Sequence, residues 1–130
     1  MPSTATDAPR FVLAELALAQ YLGRDFRGQD HRAALLGLPL VLDFIVLDRE
    51  PREFDWGDFD PHAYVRAIRD LEDTEALFLR ALLRETSLFF GYLAERDELP
   101  RARARRVRAE IERALAELEG VAEPPGPAAS

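Results

Sequence analysis

Between Leu77 and Ala94 the chain reads LFLRALLRETSLFFGYLA. At 100° per residue, Arg80, Arg84, Ser87 and Gly91 fall within one arc of about 60°. Leu79, Leu82, Leu83, Phe89, Phe90 and Leu93 spread over the far side, with Phe78 and Tyr92 at its edge. The apolar arc is about 200° wide, broader than the ~100° stripe of an ordinary surface helix. This pattern predicts a helix of roughly 27 Å, gripped by neighbours on most sides, with a thin polar seam facing water or a partner. Glu85 falls at the margin of the apolar arc. It is expected to be an edge carboxylate paired with an arginine; a functional acid is the other reading.

The rest of the chain is read around that helix. FVLAELALAQYL is apolar nearly all round, with Glu15 and Gln20 as exceptions, and predicts a first helix over about 8–22, capped by Asp7, with Pro9 in its first turn and Gly23 as its stop. GRDFRGQD is a polar loop ending at a cap, Asp30, and a second helix begins near His31. Pro39 has no N–H and its ring crowds the carbonyl four residues earlier, so a break or kink is expected near Gly37–Leu38, with a buried helix over 39–49. Val41, Ile45 and Val46 also permit a strand there, but the pattern does not alternate and no second strand is evident to pair with it. Asp43, the one charge between Ala33 and Leu47, is expected to pair with an arginine or point to the rim.

Glu50–Asp60, EPREFDWGDFD, is the principal loop. Asp60–Pro61 is a strong helix start, and a third helix over about 61–72 puts Tyr64, Ile68 and Leu71 on one side. Asp73 or Thr74 is the cap of the central helix, which should fray near Asp97 because Leu99 precedes Pro100. The last helix spans about Pro100 to Glu119, stopped by Gly120, with a narrow seam of Ala104, Val107, Ile111, Ala114 and Leu118 at coiled-coil spacing. The fold class is therefore all-α, a compact bundle of five or six helices. Residues 1–6 are expected to be a disordered N-terminus, 7–120 a single helical domain and 121–130 a disordered Pro/Ala-rich tail. The expected core is Phe11, Leu18, Leu36, Val41, Phe44, Ile45, Ile68, Leu79, Leu82, Leu83, Phe89, Phe90, Leu93, Val107 and Ile111.

Composition narrows the function classes. With 130 residues the chain fits one domain that can bury a core without staples. It has no cysteine, which excludes disulfides, thiolate zinc sites and cysteine nucleophiles and suits a reducing compartment. All 17 basic residues are arginine. The net charge of −7 argues against non-specific nucleic-acid binding by the whole surface. MPSTATDAPR lacks a signal-peptide pattern, and the run Ala33–Leu47 falls short of the ~20 residues of a membrane span. A cytoplasmic protein with no membrane span is expected.

Sites of chemistry are scarce. His31 and His62 have no carboxylate or second histidine at three-residue helical spacing, so the Glu-x-x-His and HExxH patterns are absent. His62 reads as a surface histidine. The acids at 55, 58 and 60 lack the glycine and glutamate positions of a calcium loop. No phosphate-cradling glycine loop and no nucleophile elbow is found. No catalytic residue, metal site or cofactor is assigned, and the expectation is a protein that is not an enzyme.

Two surfaces remain. Phe54, Trp56 and Phe59 lie in the acidic loop, either as a lid folded over the core or as an anchor for a basic protein partner. RARARRVR, residues 101–108, places Arg101, Arg105 and Arg108 on one face of the last helix, with Arg103 and Arg106 elsewhere. Its arginines lie at the helix start and its glutamates at the end, against the macrodipole, and Arg106–Glu110, Arg108–Glu112 and Arg113–Glu117 are expected to offset this in part. The arginines read as a solvated face or as a site for phosphates or an acidic surface. The seam through Ile111 also permits an antiparallel contact of two copies through residues 101–119. Arg84–Pro100, RETSLFFGYLAERDELP, resembles the end of the helical core-binding module of tyrosine recombinases; that resemblance implies a DNA-clamping bundle and covers 17 of 130 residues. That family's tyrosine nucleophile and arginine pair have no counterpart here, and the acidic balance departs from a DNA clamp. The functional expectation is a non-enzymatic interaction module, a small adaptor or regulator binding protein or a second copy of itself. The alternative is a nucleic-acid-binding accessory domain using the arginines of the last helix.

Overall fold

The structure is a computed structural model that describes residues 9–47, 54–72 and 76–122. Among the described residues five α-helices follow one another: α1 (Pro9–Gly23), α2 (His31–Val46), α3 (Pro61–Glu72), α4 (Ala76–Glu95) and α5 (Arg101–Ala122), with a 3₁₀ turn, Trp56–Asp58, before α3. No strand occurs among the described residues, and 41–46 is helical. The expected disordered ends, the caps Asp7, Asp73 and Thr74, and most of the tail lie outside the described residues. None of the described helices is long and apolar enough to cross a membrane.

α4 is the centre of the bundle, packed along α5 on one side and α2 on another; α1 lies against α2 and α4, and α3 lies against α5. Leu79, Leu82, Leu83, Phe89, Phe90 and Leu93 are all buried, as a 200° apolar arc requires. The seam is drier than expected at Ser87, which is buried, as is Glu85 at the margin of the apolar arc. Thr86 hides its hydroxyl by donating to the Leu82 carbonyl at 2.7 Å.

Local chemistry sets the helix ends. Asp30 Oδ1 accepts from the Ala33 N–H at 2.9 Å, and Asp60 Oδ1 accepts from the N–H groups of His62 and Ala63 at 3.1 and 3.3 Å. α4 closes with Asp97 at φ 58°, where the Glu98 N–H reaches the Leu93 carbonyl at 2.9 Å and the Asp97 N–H reaches that of Ala94 at 3.2 Å. That is a Schellman closure with aspartate in the left-handed position usually given to glycine.

Two expected boundaries are corrected. α2 runs through Pro39 instead of breaking at Gly37–Leu38. A missing helical bond costs about 3 kcal/mol, and full burial of one aliphatic side chain returns about 1.5–3 kcal/mol. Leu38, Val41, Leu42 and Ile45 are all buried around that proline, so packing outweighs the break. Gly37 adds a close approach: a Cβ there would stand 2.6 Å from Leu82 Cδ2 of α4. α5 also passes through Gly120 to Ala122, since one helical glycine costs only about 1 kcal/mol relative to alanine.

The core departs from the expected set at α2. Leu36 is half exposed and Phe44 only partly buried, because Leu38, Val41, Leu42 and Ile45 turn inward instead. Phe11 is also partly buried. The centre is more aromatic than expected. Tyr21 packs on Phe89 and Tyr92, Trp56 on Phe89 and Phe90, and Phe59 on Phe90 and Tyr64. Asp43 points outward.

Candidate functional site

Of the residues singled out in the 54–60 loop, Phe54, Trp56 and Phe59 are all about 95% buried. The loop folds back as a lid, and its aromatic side chains belong to the core. Its acids are also engaged. Arg103 of α5 forms an ion pair with Asp55 and lies 3.9 Å from Asp58, and a Cβ at Gly57 would meet its guanidinium. Asp55 further accepts from the Gly57 N–H at 2.8 Å, which shapes the 3₁₀ turn. The negative charge that would attract a basic partner is thus largely answered from within the chain.

The α5 seam is likewise turned inward. Ala104, Val107, Ile111, Ala114 and Leu118 are buried within the same chain, so Ile111 packs in the bundle core. The charges along α5 pair differently from the expected i,i+4 order. Glu110 meets Arg113 at 2.5 Å and His62 Nε2 at 3.3 Å, while Glu117 lies 3.5 Å from His62 Nδ1. His62, expected at the surface, is a half-buried link between α3 and α5.

The arginines are brought together by the packing of α4 on α5. Arg101, Arg105 and Arg108 are exposed on α5, and Arg84 is exposed on α4. Three adjoining hollows of about 290, 330 and 360 Å³ run between these helices, and Arg108 lines all three. The floor is small or apolar: Ser87, Leu88, Gly91, Ala94 and Ala104. Arg108 Nε donates to Ser87 Oγ at 3.2 Å, and its guanidinium lies above Gly91, where a Cβ would come to 3.0 Å from Nη1. Arg84, Arg101 and Arg105 have no hydrogen bond or ion pair among the described residues. The acids at the rim are Glu95, held by Arg27 at 2.5 Å, and Glu112. The positive end of the α5 macrodipole lies at the same end as its arginines and adds to the field.

Glu85 closes one end of this groove. It is 3% exposed, and its Oε2 accepts from the backbone N–H groups of Gln29 and Asp30, both at 3.0 Å. Its partners are therefore amides of the α1–α2 loop, in place of the expected arginine. Its Oε1 is buried with no hydrogen-bond partner among the described residues.

Half of this groove is visible in the sequence as the Arg84–Ser87–Gly91 seam and the other half as the Arg101–Arg105–Arg108 face. Their juxtaposition is a tertiary fact. No group of three or more side chains able to hold a metal ion occurs among the described residues. Compared with protein-family models, with curated proteins and with solved structures, the chain matches none.

Proposed function

We propose that this protein is a non-enzymatic interaction module that holds an acidic segment of a protein partner in the groove between α4 and α5. The reading rests on one observation. Four exposed arginines, Arg84, Arg101, Arg105 and Arg108, line the two walls of a single groove, and none of them is paired with a carboxylate among the described residues. Guanidinium groups recognise carboxylates with paired, charge-assisted hydrogen bonds. The floor between them is apolar, with Leu88 37% exposed, which suits a segment that alternates acids with aliphatic residues. The net charge of −7 favours a short acidic segment over a long polyanion, which would meet repulsion from the rest of the surface. A cysteine-free chain suits the reducing cytoplasm.

The test is fluorescence anisotropy with a labelled Glu/Leu peptide and, in parallel, a labelled single-stranded oligonucleotide. The peptide should bind the wild type, and the double variant Arg105→Glu, Arg108→Glu should weaken it by about tenfold or more. Equal binding by the variant rejects the groove. Preference for the oligonucleotide, with the steep salt dependence of phosphate contacts, would replace the protein partner with a nucleic acid.

A further inference from the structure

The outer face of α2 is apolar and uncovered. Leu36 and Leu40 are 48% and 40% exposed, and Leu47 is 73% exposed at the end of the helix. Arg32 and Asp43 are the charged residues on the same face. At 100° per residue these five fall within an arc of about 80°. On α1, which packs against α2, Val12, Leu13 and Leu16 are each at least half exposed. Scattered exposed leucines are ordinary, but a helical row of them marks an interaction face.

MPSTATDA, DREPRE, DTE and EPPGPAAS, the stretches outside the described residues, contain one large aliphatic side chain between them, Met1.

The pattern on α2 is complementary to itself. The midpoint of Arg32 and Asp43 falls between Gly37 and Leu38, and that of Leu36 and Leu40 falls at Leu38. A two-fold axis through that point, with the helices antiparallel, sets Arg32 of one copy beside Asp43 of the other, twice, and Leu36 against Leu40 between them. Arg32 and Asp43 lie about 16 Å apart along the helix axis, so the two ion pairs flank the leucines. Both are exposed, and neither has a partner among the described residues. An isologous contact requires this kind of symmetry about one point, whereas a foreign helix does not. We propose that two copies of this chain associate through the outer face of α2, antiparallel, with Arg32–Asp43 pairs at either end of a Leu36–Leu40 contact. This surface is separate from the α4/α5 groove and does not depend on its reading.

Light scattering on the full chain from low to high micromolar concentration tests it. The wild type should reach twice the monomer mass. Arg32→Asp and Asp43→Arg, each placing like charges together at both ends, should weaken association by about tenfold. The double variant Arg32→Asp, Asp43→Arg should restore it. Leu36→Glu should abolish it, and circular dichroism should show the fold retained in every case, since all three positions are exposed. A wild type that stays monomeric overturns the proposal, as does a dimer indifferent to all of these changes or one not restored by the charge exchange. A monomer that instead co-floats with neutral phosphatidylcholine vesicles would assign the face to a lipid surface and equally overturn it.

Discussion

A Cβ on Gly28 would lie 1.6 Å from Oε1 of Glu85, so the carboxylate occupies the space that any side chain at position 28 would need. The end of a glutamate is ordinarily free to swing away. This one is buried and bound through Oε2 to two backbone N–H groups at the start of α2. Moving it breaks both bonds and leaves the two backbone N–H groups without their acceptor. Gly28→Ala should therefore lower stability by about 1.5–3 kcal/mol, the range for losing a hydrogen bond to a charged group. In a Glu85→Ala background, itself destabilised by the orphaned amides, the same glycine change should cost much less. Urea unfolding of the four proteins of this cycle measures the coupling; additive effects would refute the contact.

This pair also marks where the sequence stops being legible. The five helices, the caps Asp30 and Asp60 and the inward face of α4 follow from period, capping chemistry and the width of the apolar arc. Glu85 lies on α4 and Gly28 in the loop between α1 and α2, and nothing in the local pattern of either announces the other. α2 is apolar over most of its circumference, and Arg32 and Asp43, on the arc of Leu36, are its main sign that Leu36 faces outward and Leu38 inward; packing against α4 at Gly37 fixes that orientation. The arginine groove was half legible, as two polar faces whose meeting depends on how α4 and α5 pack. Arg103 shared the stretch of Arg101 and Arg105, and only the fold separates its role from theirs.

Arg103 holds the lid, and the sole tryptophan reports on it. Trp56 is 4% exposed beneath the turn that Arg103 pairs with through Asp55 and Asp58. In the wild type its emission should be blue-shifted and resistant to acrylamide. Arg103→Ala removes a partly exposed ion pair worth about 1 kcal/mol or less, together with the packing of its stem and head over Gly57. The melting temperature should fall by only a few degrees, while Trp56 becomes distinctly more accessible to the quencher. Unchanged quenching would mean that the aromatic packing of Phe54, Trp56 and Phe59 alone keeps the lid shut.

The pH dependence of stability isolates another buried group. Tyr64 of α3 donates its hydroxyl to the Gly37 carbonyl of α2 at 3.0 Å, and burial pushes its pKa well above the ordinary tyrosine range. Tyr21 and Tyr92 are also raised, chiefly by burial, with Arg27 opposing the shift at Tyr21 and Arg96, 5.5 Å from the Tyr92 ring, opposing it at Tyr92. The chain has no lysine and no cysteine, so between about pH 9 and 12 its titrating side chains are these tyrosines. Above about pH 10 the unfolded chain loses tyrosine protons that the folded chain keeps. The folded state then binds more protons, and stability falls as pH rises; below that range this contribution is fully present and flat. At neutral pH, Tyr64→Phe should cost about 1 kcal/mol, the worth of its hydrogen bond. At about pH 11 the wild type has lost roughly 1.4 kcal/mol through this one group, a loss phenylalanine does not share. The stability gap between the two proteins should close, or reverse, across that interval. Urea midpoints for both proteins at successive pH values decide it: a gap that stays constant from neutral to alkaline pH would show that Tyr64 ionises as readily in the fold as outside it.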